Sequence, residues 1–236
     1  MAKKPTGEEL RFETPLYTVA EAARYLDVPV STFASWAHGY ETHPKGRRSV
    51  RSGPILTATR TPRRHPEVPF VGLVEGMVAA AFRRAGVSMQ HIRRSLQVLQ
   101  DQIGVEHALA SERLYTDGAT ILYDYATTEQ DEEVLTVVVT GQRVFHDVIS
   151  DYLARISYAS DGFAERLSLP ITSKPLIECD PRRGFGRPLF IRGGAPMDDV
   201  IDRFRAGEAL TEVARDFDLR PEDVEDVIRA SLQRAA

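Results

Sequence analysis

A single cysteine, Cys179, stands in this chain of 236 residues. It excludes an internal disulfide framework and suits a reducing cytoplasm. Long apolar runs are missing as well: the stretch from Val134 to Thr140 is typical of the longest, far short of the roughly 20 residues of a membrane helix. Lys3 and Lys4 are followed by no apolar segment, so nothing marks the chain for export, and no membrane partner is expected. Aromatic residues are only 8% of the chain, yet 42% is hydrophobic and 27% charged. That balance is globular and excludes a disordered or fibrous protein.

Carboxylates are also missing from one place. Between Glu41 and Glu67 lie Lys45, Arg47, Arg48, Arg51, Arg60, Arg63 and Arg64 with no acid among them. Residues 1–100 hold 15 Lys+Arg against 8 Asp+Glu, a balance of +7; residues 101–236 hold 15 against 26, or −11. A basic patch on an acidic protein suits a polyanion at one end and a different task at the other.

Periodicity supplies the elements. Thr18 and Glu21 have capping-box spacing, which opens a helix through Ala22, Ala23 and Leu26. Asp27-Val28-Pro29 breaks it, and a second short helix starts near Ser31, with Phe33 and Trp36 on one side. Two short helices with so tight a turn follow the helix-turn-helix plan. Trp36 fits the core better than a groove. The Gly-, Pro- and Arg-rich stretch from His38 to Pro69, with β-prone Ile55 to Thr59, reads as a basic wing. Phe70, Leu73, Val74, Met77, Val78, Ala81 and Phe82 predict an amphipathic helix ended by Gly86. Ser88 caps the next, with Ile92, Leu96 and Leu99 inward and Arg93 and Arg94 outward.

Beyond it the pattern is mixed. Ile121 to Tyr125 and Leu135 to Val139 read as strands joined by the acids of Glu129 to Glu133, while Val144 to Ile156 suits strand or helix. Ala164 to Leu169, Leu176 to Cys179 and Leu189 to Ile191 read as short strands, the last turned at Gly193-Gly194. Pro196 and Pro221, each followed by two acids, mark helix starts. With a helix from Thr211 to Phe217 between them, they predict a three-helix bundle. Leu232 is counted among its inward residues. The fold class expected is α+β, mainly α: residues 1–110 a winged helix-turn-helix, 111–175 a mixed middle region, 176–236 a three-helix domain. The charge split predicts separable halves, with DNA binding kept by a fragment ending near Gln100.

No Cys/His spacing matches a zinc site, and no nucleophile elbow or Gly-Lys-Ser/Thr phosphate loop is present. The acidic pairs Asp198-Asp199 and Glu222-Asp223 are explained by helix dipoles. No catalysis, metal or cofactor is expected. The helix-turn-helix is the sharper signal. Ser31, Thr32 and Ser35 on its second helix would face the groove, while Lys45, Arg47, Arg48, Arg51, Arg60, Arg63 and Arg64 would sit on phosphates. Residues 198–236 hold 11 Asp+Glu against 6 Arg, which opposes a second DNA contact there. DNA-binding proteins of this plan are usually two-fold dimers.

The run Tyr17-Thr18-Val19-Ala20-Glu21-Ala22-Ala23-Arg24-Tyr25-Leu26-Asp27-Val28-Pro29 to Trp36 resembles the MerR/excisionase type of winged helix-turn-helix, with Asp27 where glycine is usual. Phe70 to Leu96 resembles the second helical pair of MerR-like domains. Asp180 to Leu232, with Ile191-Arg192-Gly193-Gly194-Ala195-Pro196, resembles the small three-helix domain of VapB-type antitoxins. The resemblance implies an antitoxin that binds operator DNA, represses its own operon and neutralises a VapC-like PIN-domain ribonuclease in the cytoplasm. A PIN nuclease holds Mg²⁺ with carboxylates, and antitoxins of this class often plug such a site with an arginine, which pairs bidentately with carboxylate. Arg182, Arg183, Arg187 and Arg192, on a glycine-spaced lead, are the candidates. The alternative is a stand-alone MerR-like regulator sensing a small ligand in the middle region.

Overall fold

In the computed structural model the residues described are 5–43, 49–62, 64–85, 88–90, 92–93, 96–97, 101, 104, 106–114 and 150–235. The strands expected at 121–125 and 135–139, and the helix stop at Gly86, lie outside them.

Each early helix begins at a threonine. Thr6 and Thr18 both make reciprocal capping boxes, with Glu9 and Glu21, opening α1 (Gly7–Phe12) and α2 (Val19–Leu26). Asp27 ends α2 in the left-handed conformation at φ 55°, a region that Asp tolerates better than most residues. Helix α3 (Val30–His38) then packs on α2, burying Phe33 and Trp36. The wing is a hairpin of β1 (Tyr40–Thr42) and β2 (Val50–Ser52), antiparallel with Glu41 opposite Arg51. Its strands fall earlier than the β-prone stretch suggested. Ile55 to Thr59 forms no strand; it lies against the next helix, where the backbone N–H of Thr57 donates to Glu75 at 2.6 Å.

That helix, α4 (Phe70–Arg84), is the centre of the molecule. Every residue from Phe70 to Phe82 is buried, Glu75 included. The expected amphipathic helix is therefore apolar all round, because α1, α2 and α3 cover it on some sides and α5 (Ser150–Leu153), β4 (Ala164–Ser168) and the 3₁₀ turn Ala108–Ala110 on others. Two glycines one turn apart permit the approach. A Cβ on Gly72 would meet the Thr57 carbonyl at 2.1 Å, and one on Gly76 would meet Phe33 at 2.6 Å. In segment 88–101, Ile92 and Leu96 are buried as expected.

Four antiparallel strands form a meander: β3 (Ile156–Tyr158), β4, β5 (Ile177–Cys179) and β6 (Leu189–Phe190). The sheet runs across residue 176, where a domain boundary was expected, because Leu167 and Ser168 of β4 pair with Cys179 and Glu178 of β5. After the Gly193-Gly194 turn, α6 (Met197–Arg205), α7 (Leu210–Asp216) and α8 (Pro221–Ala235) build the expected bundle around Val200, Val213, Ala214, Val224 and Val227. Pro196 stands one residue before its helix, whereas Pro221 is the first residue of α8. Leu232 departs from expectation: it is 53% exposed. One apolar cluster runs from Tyr17 through α4 and the sheet to Ile228.

Candidate nucleic-acid interface and arginine loop

The turn of the helix-turn-helix is clamped from behind. Arg84, at the end of α4, donates to the carbonyls of Leu26 and Asp27 at 2.7 and 3.1 Å. Capped by a left-handed residue, α2 releases the chain into α3 without losing its last carbonyls to solvent. On the first turn of α3, Ser31 is exposed and Val30 is 51% exposed, whereas Thr32 is half-buried. Ser35 is also half-buried, and its hydroxyl donates to the Thr32 carbonyl at 2.8 Å. Trp36 is in the core, at 3% exposure. The face that α3 offers outward is thus short and carries no cation.

Cations come from the wing and the loop behind it. Arg51 projects with 83% of its side chain exposed, 3.6 Å from the Glu41 carboxylate across the hairpin. Arg60 and Arg64 are both exposed, with Arg60 reaching the His38 carbonyl at 3.5 Å and Arg64 held at φ 68°. Lys45, Arg47, Arg48 and Arg63 lie outside the described residues. The structure therefore brings Ser31, Arg51, Arg60 and Arg64 to the surface of one module. The carboxylates bounding the basic stretch are drawn into it: Glu41 meets Arg51, and Glu67 meets His38 at 3.3 Å.

Sequence reasoning misplaced Arg93. Instead of facing out, its guanidinium donates to the Gly53 carbonyl at the wing base and lies 5.8 Å over the Tyr40 ring. Burial lowers its pKa, a sign of the desolvation that holds it there. Segment 88–101 thereby braces the wing. Its only clue in the sequence was that Tyr40, a large ring, begins the wing. A cavity of about 480 Å³ opens beside it, lined by Arg51, Thr57, Glu75, Arg93, Gln97 and Glu106.

The C-terminal arginines are largely engaged. Arg182 pairs with Glu165 at 3.4 Å, Arg183 with Glu178 at 2.5 Å and Arg187 with Asp199 at 3.1 Å. Arg192 is exposed and makes no ion pair with a described residue. The expected mobile lead is a tied-down loop. It also joins the two ends of the molecule: Tyr17 donates from its hydroxyl to the Gly186 carbonyl at 2.8 Å. Burial pushes the Tyr17 phenol and the adjacent Cys179 thiol up, so this cysteine stays protonated and is a packing residue. A further bridge links α2 to α6, where Arg24 holds both oxygens of Asp198 at 2.9 and 3.0 Å.

Among the described residues no cluster of His, Cys, Asp or Glu could hold a metal ion, and no helix is long and apolar enough to cross a membrane.

Comparison with known proteins agrees with both modules. Residues 15–96 match the family described as "Putative DNA-binding HTH domain", and residues 177–229 match the protein family of unknown function DUF433. Fold and matches together define a winged helix-turn-helix protein carrying a second, strand-and-bundle module. Over 230 residues the chain is 43% identical to "Putative antitoxin VapB45" of Mycobacterium tuberculosis, covering 94% of this chain and 96% of that protein. The chain belongs to that VapB45-like antitoxin family. A second M. tuberculosis protein, "Uncharacterized protein Rv2308", is 25% identical over 223 residues, 90% of this chain and 88% of the other. The crystal structure of Rv2018 from M. tuberculosis superposes with a TM-score of 0.79 at 39% identity, covering 93% of this chain and 99% of that one.

Proposed function

We propose that this chain is the antitoxin of a type II toxin–antitoxin pair. It binds operator DNA as a cytoplasmic homodimer, represses its own operon, and neutralises a VapC-like PIN-domain ribonuclease without catalysing a reaction itself. The observation that carries the reading is the union, in one chain related over 94% of its length to a VapB45 antitoxin, of an exposed α3 first turn with a cationic wing. Ser31 at the helix start is the groove contact, with Thr32 and Ser35 flanking it. Arg51, Arg60 and Arg64, together with Lys45, Arg47, Arg48 and Arg63 outside the described residues, supply phosphate contacts and most of the affinity. The second task falls to the sheet-and-bundle end, where α6 to α8 carry a balance of acids that repels DNA.

Arg182, Arg183 and Arg187 already answer carboxylates of their own chain, so Arg192 is the arginine best placed to enter an anionic nuclease site. The alternative, a stand-alone regulator responding to a small ligand, finds support in the cavity at the wing base, whose volume lies in the usual range for ligand sites. Co-expression with the product of the adjacent gene separates the readings. An antitoxin co-purifies with that product, suppresses its ribonuclease activity and retards a duplex carrying its own promoter. A regulator retards the duplex alone, in a ligand-dependent way.

A further inference from the structure

Phe185 is the most exposed large hydrophobic residue among those described, at 65%. Its backbone lies at φ 53° and ψ 43°, between Gly184 at φ 56° and Gly186 at φ 75°. Three consecutive left-handed residues make a turn that glycine enters freely and phenylalanine enters under strain, because its Cβ crowds the carbonyl that follows. The turn is held, not loose. The backbone N–H of Gly186 donates to the Asp180 and Arg183 carbonyls at 3.2 and 3.1 Å, Arg187 N–H to Gly184 at 3.2 Å, and Tyr17 to Gly186. A strained backbone that leaves an aromatic ring in water gains neither packing nor solubility for this chain. Strain of this kind points to a contact made with something else.

The surroundings say what kind of contact. Arg182, Arg183 and Arg187 flank the ring with 55%, 45% and 56% of their side chains exposed, and each is compensated by Glu165, Glu178 or Asp199. A compensated rim offers little net attraction to a nucleic acid. An apolar anchor inside a ring of neutralised polar groups is instead the anatomy of a protein interface, with a rigid aromatic at its centre.

We propose that Phe185 anchors this chain to its toxin, inserting its ring into an apolar socket on the ribonuclease while the three arginine–carboxylate pairs seal the rim. The inference rests on the antitoxin reading and gives that reading its docking point, leaving Arg192 free to act elsewhere on the partner.

The test uses the full chain and the purified ribonuclease encoded beside it. Dissociation constants are measured by calorimetry for the native chain, Phe185→Gly and Phe185→Asn, alongside the melting temperature of each chain alone. Both replacements suit the left-handed backbone, so both are expected to melt at or above the native temperature while binding weakens at least about 30-fold, the scale of an interface hot spot. Affinity within threefold of native overturns the anchor and leaves the antitoxin reading standing. So does weakened binding that only tracks a lowered melting temperature. If Phe185→Gly converts a dimer of this chain to monomer in sedimentation with toxin affinity intact, the ring belongs to self-association and the proposal falls. A native chain that fails to bind the ribonuclease removes the reading and the anchor together.

Discussion

Arg11 and Asp161 show how much one side chain can hold. The Arg11 side chain is 7% exposed and bonds Asp161 with both terminal nitrogens, while its Nε is buried without a partner. The bond to Arg11 holds the Asp161 carboxyl below its usual range. A depressed carboxylate contributes stability above its unfolded pKa, roughly 3.9, and loses it as pH falls through the folded value. Asp161→Asn leaves a buried cation half-answered. With Asp161 itself 44% exposed, the expected loss at pH 7 is discounted to roughly 1–2 kcal/mol, or about 2–8 °C in melting temperature. Calorimetry at pH 7 and again near pH 3 checks it: the gap between native and variant should narrow at acid pH. Residues of this kind were illegible in the sequence. Thr18 and Asp27 announced themselves because their partners are three or four residues away. Arg11 and Arg24 find theirs 150 and 174 residues on, and no local pattern encodes that distance.

Among the elements, α4 and the wing carry the sharpest expectations. A methyl on Gly76 would press 2.6 Å against Phe33 and 3.1 Å against Leu26, so Gly76→Ala should push α2 and α3 off the central helix. Overpacking of this order costs about 1–3 kcal/mol, read as a fall of roughly 2–12 °C on thermal melting. DNA affinity should fall with it, since the relative placement of α3 and the wing changes. The wing itself is tested by salt. If Arg51, Arg60 and Arg64 meet phosphates, each Arg→Ala replacement lowers the slope of log affinity against log salt by about 0.9. Fluorescence anisotropy over a salt series measures it. The smallest change is expected at Arg51, whose charge is shared with Glu41. The sequence showed that a wing follows α3 but misplaced its strands. Ile55 to Thr59 has β propensity, yet the pull of Glu75 on Thr57 and the packing of Leu56 settle that stretch against α4. Tertiary context outweighs propensity where a buried carboxylate needs donors.

On the scale of the whole molecule, two halves of opposite charge turn out to share one core. The helix-turn-helix meets the C-terminal module through Arg24 and Asp198, Tyr17 and Gly186, and the apolar cluster between them. The charge split was legible because composition is a sum over residues; the seam was not, because it is made of ordinary core residues and scattered pairs. A fragment ending near Gln100 would lose the partners of Arg11, Tyr17 and Arg24 and expose one side of α4. It should therefore lack a cooperative melt in circular dichroism and bind promoter DNA at least about tenfold more weakly than the full chain. A fragment with a sharp melt and native affinity would show that the seam contributes little.

The same seam sets a timetable for synthesis. Tyr17 leaves the ribosome 169 residues ahead of Gly186, and Arg24 leaves 174 residues ahead of Asp198. At about 5–20 residues per second, the DNA-binding end waits roughly 10–35 s for the strands and helix that complete it. During that interval the half-covered α4 is open to proteases and chaperones. A nascent chain of this design becomes competent for DNA only when its toxin-facing end has also been made, so no operator is occupied by a molecule still unable to restrain its partner.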